Sequence, residues 1–140
     1  MINPLSDIRH YSPTMTITQV LKFCEKKEMN ITRSMIQNYI RDGLMPPPVN
    51  KRQYTHKHLT LLAMIDRLKT VFDMPTIQAA LKPYVDDDGL SVETYMELAG
   101  GAEALLNKWF AAAGEALKAE PDGGTLLSMS CAAALKSAIV

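Results

Sequence analysis

The sequence predicts an all-α protein, a helical head followed by a C-terminal helical extension. Three observations carry that expectation. Apolar residues recur at three- and four-residue spacings through most of the chain. Threonines placed as N-caps (Thr16, Thr32 and Thr55) stand ahead of the first three periodic stretches. The one strand-like stretch is a short ribbon between two of those helices. With 140 residues and an apolar fraction of 47%, the chain suits one packed domain, or a small head with an appendage. Nine methionines against few aromatics fit a helix-rich core filled by flexible side chains.

Residues 1–14 hold two prolines and little periodicity, and read as a mobile arm. The first helix starts at Thr16, where Thr16-x-x-Gln19 has capping-box spacing and Met15 with Val20 stand at hydrophobic-staple positions. Its apolar stripe is Ile17, Val20, Leu21 and Cys24, flanked by Phe23. The second helix repeats this grammar from Thr32 to a Gly43 stop. About four residues separate the two, the spacing of a helix-turn-helix. Ile36, Tyr39, Ile40 and Leu44 face inward; Arg33, Ser34, Gln37, Asn38 and Arg41 share the opposite face.

Pro46-Pro47-Pro48 cannot continue a helix and force an extended excursion. Val49 to Tyr54 then forms a ribbon carrying Lys51 and Arg52. A third helix, from the Thr55 cap to about Phe72, is apolar around most of its circumference and belongs at the centre of the head. Pro75 suits the first turn of a fourth helix, with Ile77 and Leu81 pointing back at the core. Asp86-Asp87-Asp88-Gly89 reads as a solvated linker, which gives boundaries of 1–14 for the arm, 15–85 for the head and 86–140 for a helical dimerisation or effector region. In that last region a helix capped by Ser91 meets Gly100-Gly101, a candidate break. Apolar spacing resumes through Leu105, Leu106, Trp109, Phe110, Ala113 and Leu117, and a final Ala-rich helix runs from Thr125 to Ile139. Tyr95, Met96, Trp109 and Phe110 serve core or dimer packing more readily than an effector pocket.

The net charge of zero hides an asymmetry. Residues 1–85 hold twelve Lys/Arg against six Asp/Glu, and residues 86–140 hold three against nine. A basic head seeks an anionic partner. Cys24 and Cys131 are isolated, so they read as small buried hydrophobes, and no zinc framework can be written. His56 and His58 lie two apart and cannot share a helix face, so they read as solvated or phosphate-facing imidazoles. The Asp86–Asp88 run lacks the spaced ligands of a calcium loop. No metal or other cofactor is expected. With no paired carboxylates, nucleophile–base set or glycine-rich phosphate loop, neither are catalytic residues. No apolar run suits a signal peptide or membrane span, so a cytoplasmic location is expected.

The order helix, turn, helix, ribbon, helix, helix is that of a winged helix-turn-helix. Tyr39, Arg41-Asp42-Gly43-Leu44, Pro46 to Pro48, Arg52-Gln53-Tyr54, Leu59 and Ile77-x-x-x-Leu81 together resemble the MerR-like family of bacterial transcription regulators over about residues 16–83. More narrowly, the chain resembles small bacterial proteins with a MerR-like head and a short helical tail. Three departures are visible: Gln37-Asn38-Tyr39 stands where the family usually has Arg-Tyr-Tyr, the wing is about four residues short, and Gly100-Gly101 interrupts the candidate dimerisation helix. The resemblance implies double-stranded DNA as partner and Arg52 as a backbone contact, with Tyr54 packing the wing onto the head.

The residues themselves support the same chemistry. Gln and Asn amides match adenine and Arg matches guanine in the major groove, so Arg33, Gln37 and Asn38 are the candidates for base edges. Tyr39, Arg41, Lys51 and Arg52 are the candidates for phosphates. A sequence-specific regulator, homodimeric through its C-terminal helices, is the expectation. A winged head that has lost DNA binding and serves as a protein-interaction module is the alternative.

Overall fold

In the computed structural model, residues 5–119 are described. The chain divides into two units between Tyr95 and Met96. Five helices dominate: α1 (Ile17–Lys26), α2 (Arg33–Arg41), α3 (His56–Leu68), α4 (Met74–Leu81) and α5 (Val92–Ala119). To these is added a two-stranded antiparallel sheet, β1 (Thr14–Met15) with β2 (Tyr54–Thr55), in the register Thr14 to Thr55 and Met15 to Tyr54. The bulk of the fold is thus helical, with a small sheet that the helical periodicity did not announce.

The helix starts follow from local chemistry. Thr16 and Gln19 cap each other reciprocally: the Thr16 N–H donates to Gln19 Oε1 (2.8 Å) and the Gln19 N–H to Thr16 Oγ1 (3.3 Å). Thr32 Oγ1 accepts the Met35 N–H (3.2 Å), and Asp73 Oδ1 accepts the Thr76 N–H (2.9 Å) with Pro75 in the first turn of α4. After α2 the chain stops at Gly43, whose φ is +77°. The Gly43 N–H reaches the Ile40 carbonyl (3.2 Å) and the Leu44 N–H the Tyr39 carbonyl (2.9 Å), the two bonds of a Schellman motif. After α1 the same motif is built on Glu28 at φ +57°, with the Glu28 N–H on Glu25 (3.0 Å) and the Met29 N–H on Cys24 (2.9 Å).

The core of the first unit is organised around α3, buried continuously from His58 to Ile65. Val20, Phe23 and Cys24 reach it from α1, Ile36 and Tyr39 from α2, and Ile77 and Leu81 from α4. Burial pushes the Cys24 thiol up to about 12, which leaves an inert apolar side chain. The turn between α1 and α2 is tied to α3: the Asn30 N–H donates to Asp66 Oδ1 (3.1 Å), Lys69 pairs with that carboxylate (3.3 Å), and Lys69 Nζ also donates to the Asn30 carbonyl.

Five expectations are corrected. Residues 5–14 are packed rather than mobile: Leu5 and Ile8 are buried, Asp7 pairs with Lys27 (2.5 Å), and the segment ends in β1. Lys27 holds the Asp7 carboxyl below the usual range. The third helix ends at Leu68, and Phe72 lies beyond it, exposed. The Asp86–Gly89 stretch is a docked turn rather than a solvated linker. Asp86 Oδ1 accepts the Asp88 and Gly89 N–H groups (2.9 and 3.2 Å), Asp86 pairs with Lys57 (2.6 Å), and the Leu90 N–H donates to the Lys57 carbonyl (3.2 Å). Leu90 and Tyr95 are buried, so the first unit runs through Tyr95 rather than ending at 85. Finally, α5 continues through Gly100-Gly101 without a break. The proposed last helix, Thr125 to Ile139, and Cys131 lie outside the described residues.

Candidate nucleic-acid interface

The outward face of α2 carries Arg33, Ser34, Gln37, Asn38 and Arg41, all exposed. It is outward because Ile36 and Tyr39 fix the opposite stripe in the core. Arg33 and Gln37, four apart, share that face one turn from each other. Beyond Gly43 the chain turns through Met45, buried against the head, into the three prolines. The ribbon then reverses at a tight hairpin. Val49 and Gln53 form an antiparallel bridge, with the Val49 N–H on the Gln53 carbonyl (2.7 Å) and the Gln53 N–H on the Val49 carbonyl (2.9 Å). Asn50 and Lys51 occupy the tip in the left-handed region, at φ +51° and +68°. Asn tolerates that conformation, whereas Lys is strained there by about 1 kcal/mol. Lys51 and Arg52 are both exposed.

The cations of the first unit differ in what holds them. Lys27 and Lys57 are held by Asp7 and Asp86 and fasten one segment to another, while Lys69 pairs with Asp66 one turn away at the end of α3. Among the described residues no carboxylate pairs with Arg33, Lys51 or Arg52. Burial holds the Tyr54 phenol above its ordinary range, and the charge of Arg33 opposes that effect. Arg41 has only its sequence neighbour Asp42, at 3.1 Å and well exposed, a contact that water and salt weaken.

Tyr39 is corrected. It is buried rather than standing on the outward face, and burial, then the nearby Asp66 carboxylate, raises its phenol above the ordinary range, so its ring packs the head. Tyr54 is buried beside it in role, packed at the end of the ribbon.

A family model described as "Domain of unknown function (DUF1836)" matches residues 11–98. The chain belongs to the DUF1836 family. The DUF1836 region spans β1 through the opening of α5, and so contains the α2 face, the ribbon and the turn at Asp86. No curated protein and no solved structure matches the chain.

Sequence reasoning missed one residue of the DUF1836 head. His58 is 0% exposed and joins the ribbon to α3. Its Nδ1 accepts the Thr55 N–H (3.0 Å), its Nε2 donates to the Pro47 carbonyl (3.2 Å), and its ring meets Tyr54 edge-on (5.3 Å, 75°). The signal was present: Thr55-x-x-His58 has capping-box spacing, with imidazole in place of the usual Glu or Gln. His56 is half-buried, its Nε2 lying 3.0 and 3.1 Å from the Tyr11 and Ser12 carbonyls. Among the described residues no group of three or more His, Cys, Asp or Glu is arranged to hold a metal, and no helix is long and apolar enough to cross a membrane.

Proposed function

We propose that this protein is a sequence-specific, DNA-binding regulator of winged helix-turn-helix type, similar to MerR-like proteins, which works in the cytoplasm as a homodimer. One observation carries the reading. Among the described residues Arg33, Lys51 and Arg52 pair with no carboxylate and stand on an exposed helix face and the exposed ribbon, while Lys27, Lys57 and Lys69 are held in ion pairs. In this reading α2 lies in the major groove, with Gln37, Asn38 and Arg33 at base edges. The ribbon is the wing, and Lys51, Arg52 and Arg41 take phosphates.

A short α2 and a trimmed wing cover little DNA, so two copies on two half-sites would raise both affinity and specificity. The exposed apolar side chains of α5, Leu105 at 68% and Trp109 at 47%, support self-association through that helix.

The test is duplex binding followed by fluorescence anisotropy across a salt series. Arg52→Ala should weaken all sequences alike and lower the salt slope by about 1, whereas Gln37→Ala should cost about 1–3 kcal/mol at one base position and relax preference there. A mixed-sequence duplex that is not bound even at low salt would end this reading. Native mass measurement with and without DNA separates it from a protein-interaction module, which would dimerise or hold a protein without ever gaining the mass of a duplex.

A further inference from the structure

The histidine capping box at the start of α3 couples the ribbon to the proton. The Thr55 N–H points at Nδ1, so Nδ1 must be unprotonated and the ring proton must sit on Nε2, where the Pro47 carbonyl accepts it. This neutral tautomer satisfies both strands of the ribbon at once: Pro47 lies before the hairpin and Thr55 after it. A capping glutamine or glutamate has no such vulnerability near neutrality. An imidazolium is a donor at both nitrogens. It keeps Pro47 but sets Nδ1–H against the Thr55 N–H in a site closed to water. The Thr55 hydroxyl, 3.2 Å from Nδ1, can take the new proton only by leaving the amide without an acceptor.

We infer that His58 is the positioning residue of the ribbon, and that proton uptake by its imidazole releases the ribbon from the head.

The surroundings decide the sign. Burial disfavours the charged ring and holds His58 below its ordinary 6.5, against the Pro47 and Pro46 carbonyls and the Asp88 carboxylate, which favour it. Lys57, adjacent on α3, is paired with Asp86, and the Tyr54 phenol on β2 is neutral, with the Arg33 charge acting on it. Because the folded-state value is depressed, the unfolded chain binds the proton first. The stability contributed is therefore fully present above about 6.5 and is lost as pH falls through the folded-state value. If the ribbon is a DNA-contacting wing, as proposed above, wing-dependent binding weakens over this same window. That direction opposes the general gain in DNA affinity expected when a protein becomes more positive.

The experiment is NMR of the full chain without DNA, from pH 8 to pH 5. At pH 8 the ring nitrogens of His58 should report the neutral Nε2–H tautomer. As His58 charges, the Gln53 and Thr55 amides, corrected for intrinsic exchange, should lose roughly tenfold or more of their protection, while amides of α2 keep theirs. His58→Gln, whose amide can accept from Thr55 and donate to Pro47 without titrating, should keep the ribbon protected at both pH values. His58→Ala should leave it unprotected at both. An Nδ1–H tautomer, ribbon protection that stays constant through the titration of His58, or an acid response in His58→Gln equal to the wild type would each overturn the inference. Duplex binding by the wild type and His58→Gln forms a separate arm. Absence of binding at every pH would sink the regulator reading and leave the exchange result standing.

Discussion

The turns that follow α1 and α2 close with the same pair of hydrogen bonds, yet one is built on Glu28 and the other on Gly43. In each, a residue at positive φ lets the next N–H reach back to the last turn, and the residue after it, Met29 or Leu44, is buried. Gly43 adopts that conformation freely. Glu28 does so at a cost of about 1 kcal/mol, offset by the anchoring of the neighbouring Asn30 to Asp66 and Lys69. The difference teaches that tertiary fastening can hold a left-handed residue that local preference would reject. The same contrast recurs further along, with Lys51 strained at the hairpin tip and Gly89 at φ +124° in the docked turn.

The contrast breaks most severely at Gly89. A Cβ there would lie 2.6 Å from the Lys57 carbonyl oxygen and 2.8 Å from its carbon, against backbone that cannot give way. Gly89→Ala should cost about 3 kcal/mol in urea denaturation, because it expels the turn from the start of α3 as well as straining it. Gly43→Ala meets nothing closer than Gln78 Nε2 at 3.7 Å, so its cost is conformational alone. About 1–2 kcal/mol is expected. Glu28→Gly is its mirror image and should stabilise the fold by about 0.5–1 kcal/mol in the same denaturation; no gain would mean that the Glu28 side chain contributes something its backbone does not. Smallest in stability, and sharpest in meaning, is Lys51→Gly. It should stabilise the fold by about 0.5 kcal/mol while weakening duplex binding at all sequences and lowering the salt slope by about 1. A variant that is more stable and binds duplex equally well would show that the strain at Lys51 serves no contact with DNA.

What could be read from the sequence was what neighbouring residues decide among themselves. The caps of α1 and α2, the Gly43 stop, the inward stripes and the exposure of Arg33, Gln37, Asn38, Arg41, Lys51 and Arg52 all follow from side chains within one or two turns. What could not be read depends on distant partners. The pairing of Thr14 with Thr55 and the seat of Leu90 on Lys57 join residues tens of positions apart. Tyr39 has an inward position and a hydroxyl that suits a phosphate, and burial commits its ring to the core. His58 looked polar because an imidazole's burial depends on partners that lie on either side of a hairpin. Gly100-Gly101 looked like a break because each glycine costs about 1 kcal/mol relative to alanine. The Ala, Glu and Leu residues on either side carry α5 across both, and a Cβ at either position would meet nothing within 4 Å.

The two-residue sheet sets where this head could be cut from its chain. β1 covers Tyr54 and Thr55 at the foot of the ribbon, and His56 reaches across to Tyr11 and Ser12. A fragment beginning at α1 would therefore keep every helix that defines the head and lose the clasp that steadies its ribbon. Even the boundaries of the family match, 11–98, leave out the buried Leu5 and Ile8. A piece that keeps these contacts must include Leu5 and run through the buried Tyr95. Anyone grafting this head onto another protein must carry the dozen residues ahead of α1 with it.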